Sequence, residues 1–381
     1  MPDIPLLQGD TRDTVNNRYS NTRPKRSTNQ LRSFSNPGQL LEKLCPGGED
    51  AKAERRKAFL DGWKSLADSR QSADLLKISE ELIKRRDAMV PTENSFTGKV
   101  VWRMVIGMST PNPFETSITL HPQYGIPIIP GSTVKGLTRA WCLLTLASEL
   151  CIYPLGFEDY RKRKFETETD AEGKTVLKRQ ANGKLKRRTT SNLTPMELLE
   201  ELLLIPGSFD DPETQKAREE KLTQLKADSA VQAWEKLLIA QNEKLKESKK
   251  GICSLKCEEV FENPKAKLFL KVFGLTDQRG QVNFYDALPV EWNYKVDVMT
   301  PHYGDYYMDK KDEKGNPIPP ADWLEPVPIT FLTLNRGTKF RFDVRSSESG
   351  LVPIAKDWLK QAVSDLGVGG KTMTGYGEIR G

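Results

Sequence analysis

A glycine-rich segment at residues 366–377 has the residue types of an anion-binding loop. It reads Leu-Gly-Val-Gly-Gly-Lys-Thr-Met-Thr-Gly-Tyr-Gly and so contains five glycines, one lysine and two threonines. Glycine permits positive φ angles and close approach of another backbone, and successive exposed N–H groups form a concave anion site. Lys371 adds a positive charge, and the threonines add hydroxyl donors. The residues predicted to contact phosphate here are Gly369, Gly370, Lys371, Thr372, Thr374 and Tyr376.

The elements around this loop argue against a nucleotide-hydrolysis site. The apolar residues of 351–366 recur at helical spacing, and residues 376–380 read as a short strand. A P-loop needs a preceding strand, a following helix and a glycine five residues before Gly370, where this chain has Asp365. A dinucleotide fingerprint also fails, because Thr372 occupies the third glycine position.

A second candidate phosphate site lies at residues 124–141. Two prolines hold the approach extended, and Ser132 or Thr133 is predicted to cap a helix that runs to about residue 149. Lys135 and Arg139 share one face of that helix, which costs about 0.2–0.5 kcal/mol in a bare helix, and the helix dipole also disfavours cations there. These four residues are therefore predicted to contact phosphates around the helix start. A solvated helix face is the alternative.

Residues 157–192 form the most basic segment. Eleven Lys and Arg residues against six Asp and Glu give it a net charge of +5, nearly the whole excess of +6 in the chain. Asn182-Gly183 lies between two segments of strand-forming residues, which predicts a hairpin. The hairpin has few core side chains, so we expect it to project from the molecule.

The composition is that of a soluble protein. The 381 residues are 37% hydrophobic and 29% charged. The sequence shows no apolar run of about 18 residues and no signal peptide, so no membrane association and a cytoplasmic location are expected. The five cysteines are scattered and odd in number, which favours reduced thiols.

The order of predicted elements indicates an α+β fold. Residues 1–37 read as a flexible polar and basic arm, and residues 38–97 as a helical extension. Residues 98–381 read as one domain with a charged hairpin-plus-helix insertion at about 157–265. Without that insertion, a strand at 98–108 is followed by a helix, several strands, a helix and a strand. This order predicts a ferredoxin-like, RNA-recognition-motif-like βαββαβ core with extra strands.

Two motifs resemble those of the RAMP superfamily of CRISPR proteins: residues 129–139, IPGSTVKGLTR, and residues 369–377, GGKTMTGYG. A third motif narrows the resemblance to the sixth-subunit family of the Cmr (type III-B) effector complex. It comprises Asp286-Ala287, residues 297–303 (DVMTPHY) and Tyr306-Tyr307, followed by 319–323 (PPADW) and 326–329 (PVPI).

This resemblance implies a non-catalytic subunit that binds guide RNA in a prokaryotic ribonucleoprotein directed against foreign RNA. It implies contact with the 3′ part of the guide and, through the guide, with target RNA. It also implies backbone and small Cmr subunits as neighbours, and no cofactor. Family members insert hairpin thumbs into the guide–target duplex, and the 157–192 hairpin is the candidate thumb, unless it packs on a neighbouring subunit. Its basic residues are Lys178, Arg179, Lys184, Lys186, Arg187 and Arg188.

Residues able to do acid–base chemistry leave one alternative function open. A metal-independent endoribonuclease that processes precursor RNA needs an acid, a base and a cation, which His121, His302 and Lys371 could supply. Four aspartates could bind a cation or form ion pairs and caps: Asp286, Asp297, Asp305 and Asp309. Three tyrosines could stack on bases or form a subunit interface: Tyr303, Tyr306 and Tyr307.

Overall fold

The computed structural model describes a large part of the chain. The described residues are 41, 53–67, 70–108, 116–152, 164–169, 175–178, 180, 185–186, 193–206, 211–233, 235–237, 260, 262–275, 278–308, 310, 315, 318–319, 324 and 326–381. They fall into two compact units. Unit 1 comprises residues 1–137, 284–345 and 352–381, and unit 2 comprises residues 138–283 and 346–351. The predicted arm at 1–37 lies outside the described residues.

The described residues form helices and strands in a mixed order. The helices are α1 (Ala53–Ala67), α2 (Arg70–Asp87), α3 (Gly131–Glu149), α4 (Pro195–Leu203), α5 (Pro212–Ala227), α6 (Pro264–Phe273), α7 (Gly304–Tyr307) and α8 (Leu351–Asp365). The strands are β1 (Ser95–Val100), β2 (Thr167–Thr169), β3 (Thr175–Leu177), β4 (Val282–Phe284), β5 (Leu288–Glu291), β6 (Tyr294–Met299), β7 (Ile329–Leu334), β8 (Lys339–Ser346) and β9 (Ile379–Arg380). No helix in these ranges is long and apolar enough to cross a membrane.

Helices α1 and α2 cover part of unit 1. Phe59 and Trp63 of α1 are buried, and the Trp63 ring lies edge-on to Tyr294 of β6 at 4.8 Å. The end of α2 is fixed by charge, because Asp87 pairs with the mostly buried Arg341 of β8 at 2.6 Å. Helices were predicted in this region from the spacing of these apolar residues.

The main sheet is antiparallel wherever its register is defined. Its strands follow the order β4-β8-β1-β9, and β5 also pairs with β8. The predicted first strand is present as β1, which lies between β8 and β9. The predicted extent, 98–108, was wrong. Beyond Val100 the chain leaves the main sheet. Met104 instead forms two backbone hydrogen bonds with Leu334, at the end of β7.

Strands β6 and β7 form a separate two-stranded antiparallel sheet in unit 1. The register places Asp297 opposite Phe331 and Met299 opposite Ile329. Val105, Phe331 and Tyr376 form a small buried cluster, against which Met108 and Met299 pack. This cluster lies directly beneath the glycine-rich loop.

Unit 2 contains the described part of the charged insertion. Helix α4 begins with a capping box, in which the Thr194 hydroxyl accepts from the Glu197 N–H and the Glu197 carboxylate accepts from the Thr194 N–H. Strands β2 and β3 pair, and the Lys186 N–H donates to the Lys178 carbonyl across the predicted 182–183 turn at 2.9 Å. Arg179, Lys184, Arg187 and Arg188 lie outside the described residues.

The expectation that all cysteines are reduced was wrong. Cys151, just beyond α3, is disulfide-bonded. Cys142 is a free, fully buried thiol, and burial raises its pKa to about 12. It is therefore not ionised, and hence unreactive, at neutral pH.

Candidate nucleic-acid interface

The glycine-rich loop is tied by its backbone to residues 103–105. The Gly370 N–H donates to the Val105 carbonyl at 2.8 Å, and the Gly377 N–H donates to the Arg103 carbonyl at 2.6 Å. Within the loop, the Val368 N–H donates to the Gly377 carbonyl at 2.8 Å. Some of the amides predicted to bind an anion are therefore used within the protein. The Gly370 N–H is one of them.

Close backbone packing explains the glycine at position 369. Its φ is +93°, and an added Cβ would lie 2.1 Å from the Val105 carbonyl oxygen. A side chain there would force the loop away from the strand-like segment beneath it. Gly369 itself is exposed.

Five loop amides have no backbone acceptor among the described residues, those of Gly367, Gly369, Lys371, Thr372 and Met373. Lys371 has the left-handed φ of +59°, which is uncommon for a residue with a side chain. Backbones held in such conformations concentrate at binding sites and other functional positions. The Thr374 hydroxyl stabilises the turn, because it donates to the Lys371 carbonyl at 2.8 Å. Of the predicted cradle, the amides of Gly369, Lys371 and Thr372 and the Lys371 ammonium group are the donors left for an anion.

The floor of the loop is a hydrogen-bonded ion pair. The Tyr376 hydroxyl donates to the Asp297 carboxylate at 2.5 Å, and the Arg103 guanidinium donates to the same oxygen. Burial opposes ionisation of Asp297, but the hydrogen bonds from Tyr376 and Arg103 outweigh it and hold the pKa of this carboxyl below its usual value. Burial and the same carboxylate raise the pKa of Tyr376. Asp297 is thus part of an ion pair rather than of a cation site.

Lys371 extends over apolar and aromatic groups. Its Nζ lies 3.8 Å from the Met299 sulfur, 5.8 Å from the Phe331 ring centroid and 6.0 Å from that of Tyr376. The aromatic rings favour the ammonium charge electrostatically. The side chain is held near the loop while the residue stays partly exposed.

The start of α3 differs from the prediction. The helix begins at Gly131, so Ser132 and Thr133 lie inside it and neither is its cap. The Gly131 N–H donates instead to the carboxylate of Asp286, at 2.6 Å. An added Cβ at Gly131 would lie 2.6 Å from the Phe284 carbonyl oxygen, so only glycine allows this contact. A carboxylate from a distant segment therefore occupies part of the helix terminus that was assigned to phosphate.

The two cations of α3 have different surroundings. Arg139 pairs with Glu200 at 2.5 Å and lies 5.3 Å from the Phe269 ring centroid. Its charge is therefore compensated within unit 2, and the electrostatic argument for a bound polyanion is weaker at this position. Lys135 is half-buried, Thr133 is half-buried and Ser132 is exposed.

The histidines and the remaining predicted residues are dispersed in the structure. His121 Nδ1 accepts from the Gln123 N–H at 3.2 Å, and burial lowers the His121 pKa although Asp286 opposes this shift. His302 is exposed, with its ring 6.4 Å from Tyr303. Tyr306 is 44% exposed. The Asp305 and Tyr307 side chains and Asp309 lie outside the described part of the chain, in which no group of three His, Cys, Asp or Glu residues could hold a metal ion.

Arg103 and Trp102 border the glycine-rich loop but were not identified from the sequence. Both fall in the strand predicted at 98–108. The Trp102 side chain is 43% exposed and lies edge-on to Tyr376 at 4.9 Å. The adjacent Trp102 and Arg103, two residue types common at nucleic-acid interfaces, were the sequence signal that could have identified them.

Comparison with known proteins identifies the family. The family model of the RAMP superfamily matches residues 96–380. The chain therefore belongs to the RAMP superfamily.

Within that superfamily, the chain is similar to the CRISPR system Cmr subunit Cmr6 of Pyrococcus furiosus. The two are 29% identical over 301 residues, which cover 76% of this chain and 69% of that protein. The predicted resemblance to the sixth Cmr subunit is confirmed.

Solved structures give two further matches. The crystal structure of Cmr6 from Pyrococcus furiosus aligns at 25% identity with a TM-score of 0.36, covering 75% of this chain and 97% of that one. A chain of the cryo-EM structure of the type III-B Cmr-beta bound to cognate target RNA aligns at 15% identity with a TM-score of 0.42, covering 97% of this chain and 86% of that one.

Proposed function

We propose that this protein is a guide-RNA-binding structural subunit of a type III-B CRISPR effector complex. Its partners would be the 3′ part of the guide RNA, the target RNA paired with that guide, and the backbone and small Cmr subunits. The observation that carries this proposal is the glycine-rich loop, which presents an ammonium group and unengaged amides on an aromatic floor. Membership of the RAMP superfamily and the similarity to Cmr6 support it.

The loop suits the sugar–phosphate backbone of RNA rather than a particular base. Its donors are backbone amides and one lysine, which position nucleic acid without reading sequence. The ion pair beneath them fixes Tyr376 and Arg103, so little ordering is needed when RNA binds. The predicted contacts of Ser132, Thr133 and Lys135 would form a second phosphate-binding surface at the start of α3, and Arg139 would contact RNA only by leaving Glu200.

The strand order supports a ferredoxin-like core for the RNA-binding domain. If the elements from β2 to α6 and those from β6 to β7 are set aside, the chain order is β1, α3, β4 with β5, β8, α8 and β9, which is βαββαβ. The sheet order β9-β1-β8-β4 places the first and third strands of this core at the centre. We place the guide-RNA path next to the loop between α8 and β9. The hairpin that contains Lys178 and Lys186 would be the thumb.

We further propose that the subunit is non-catalytic. His121 accepts a backbone hydrogen bond and packs on Tyr124 at 4.7 Å, which is the environment of a structural histidine. The competing endoribonuclease function predicts cleavage of precursor RNA that His121→Ala or His302→Ala abolishes. We expect RNA incubated with excess protein to stay intact, and cleavage lost in either variant would refute the non-catalytic role.

The binding role is tested by the salt dependence of RNA affinity. Lys371→Gln should weaken binding to single-stranded RNAs of unrelated sequence alike and lower the slope of log K against log salt by about one. Lys77→Gln is the matched control, because the Lys77 side chain lies on α2 and is 76% exposed. If both variants bind RNA with the wild-type affinity and slope, the loop is not an RNA-binding site.

A further inference from the structure

Trp102 is much more exposed than three other tryptophans of the chain. Its side chain is 43% exposed, whereas Trp63, Trp141 and Trp358 are at most 6% exposed. It follows β1 directly, in the segment that hydrogen-bonds to the glycine-rich loop. An exposed indole beside a cationic loop is an arrangement that proteins use to stack on the bases of single-stranded nucleic acid.

The Trp102 ring is held in position by the groups around it. It lies edge-on to Tyr376, with ring centroids 4.9 Å apart and an interplanar angle of 61°. The Arg103 guanidinium carbon lies 4.9 Å from the Trp102 ring centroid. Tyr376 and Arg103 are in turn fixed by the Asp297 carboxylate. A ring fixed before binding loses little freedom when a second aromatic system stacks on it.

The stacking surface and the phosphate donors share one support. Tyr376 contacts Trp102 through its ring, and its N–H donates to the Lys371 carbonyl at 3.3 Å. The Lys371 ammonium group lies 6.0 Å from the same tyrosine ring. Proteins that bind single-stranded nucleic acid combine such cations for the backbone with aromatic side chains for the bases. Arg103 beside the indole adds positive charge, which favours nucleic acid over an apolar protein surface.

We propose that Trp102 stacks on one unpaired base of the bound RNA, next to a phosphate that contacts Lys371. This inference rests on the proposed RNA-binding function and adds a base-stacking subsite to it. Asp297 is a positioning residue for that subsite, because it orients Tyr376 and Arg103. The subsite accepts any base, since every base has an aromatic face.

The test compares three substitutions at one position, in the full chain and with single-stranded RNA. Trp102→Ala removes the ring and should weaken binding by about 5- to 150-fold. Trp102→Leu keeps apolar bulk without an aromatic face and should bind as weakly as the alanine variant. Trp102→Phe should retain most of the affinity. Met89→Ala is the control, because Met89 is 49% exposed just beyond α2 and lies outside the glycine-rich loop.

A second readout separates stacking from loss of structure. RNAs that carry 2-aminopurine at successive positions should each be titrated with wild-type protein, and stacking should quench one position strongly. Trp102→Ala and Trp102→Leu should remove that quenching while leaving the salt slope unchanged, and the thermal unfolding midpoint shows that they are folded.

The outcomes distinguish this inference from the binding role. If Lys371→Gln weakens RNA binding but all three Trp102 variants bind like the wild type, the stacking subsite is refuted and the phosphate loop stands. If Trp102→Leu retains affinity and quenching, the contact is apolar packing and the inference fails. If Lys371→Gln and the Trp102 variants all leave binding unchanged, both proposals fail.

Discussion

Replacing Gly369 by alanine should detach the glycine-rich loop from the segment beneath it. The new Cβ would lie 2.1 Å from the Val105 carbonyl oxygen, in a backbone conformation with φ +93°. The strained conformation costs about 1–3 kcal/mol. Relieving the clash also breaks the bond between the Gly370 N–H and Val105, for about 1 kcal/mol more. We therefore expect a loss of about 2–4 kcal/mol in the free energy of unfolding.

Gly136→Ala is the opposing control for that substitution. Gly136 lies in α3, in the same unit, and an added Cβ would meet nothing within 4 Å. Alanine in place of a helical glycine should stabilise by about 1 kcal/mol. The two variants should thus shift the unfolding midpoint in opposite directions.

The assay is urea unfolding followed by tryptophan fluorescence, with RNA affinity measured in parallel. Gly369→Ala should unfold at lower urea and bind RNA more weakly, while Gly136→Ala should unfold at higher urea. A Gly369→Ala variant as stable as the wild type would refute the close packing of the loop on residues 103–105. Weak RNA binding in a fully stable variant would place the defect in the loop amides instead.

Two further predictions concern charges at and near the interface. Tyr376 and Arg103 depress the pKa of Asp297, so the ionised carboxylate stabilises the fold above about pH 4, and this stabilisation is lost as the pH falls through the lower folded-state pKa. Asp297→Asn should therefore lower the free energy of unfolding by about 1–3 kcal/mol at neutral pH. In urea unfolding measured against pH, the midpoint of this variant should fall less steeply at acidic pH than that of the wild type. An Asp297→Asn variant with the wild-type pH profile would contradict the ion pair. Glu200→Gln should release Arg139 and raise RNA affinity in a titration, while Arg139→Gln should lower it; no change in either variant would remove Arg139 from the RNA surface.

Local periodicity was a good guide to the helices beside the site. The apolar residues of 351–366 predicted a helix that the structure places at Leu351–Asp365. The helix of the candidate phosphate site at 124–141 was predicted to end at about residue 149, and this is also confirmed. Both helices bury one continuous apolar stripe, which is a property of adjacent residues in the sequence. The glycine-rich segment was identified as a built loop for the same reason, since its flanks are regular.

Contacts between distant residues could not be read from the sequence. Asp297 meets Tyr376 across 79 positions, and Asp286 meets Gly131 across 155. Each contact depends on which strands pair and in which register, and the sequence pattern does not specify this. The same limit hid the exposure of Trp102, because an alternating apolar run does not show where the chain leaves its sheet.

Ultraviolet cross-linking of the purified complex to its RNA, followed by mass spectrometric mapping of the cross-linked residues, tests the central proposal most directly. We predict cross-links within residues 366–377 and at Trp102, and their loss from the loop in Lys371→Gln. Recovery of the protein without RNA, or RNA cross-links confined to residues outside this loop and Trp102, would contradict the proposal.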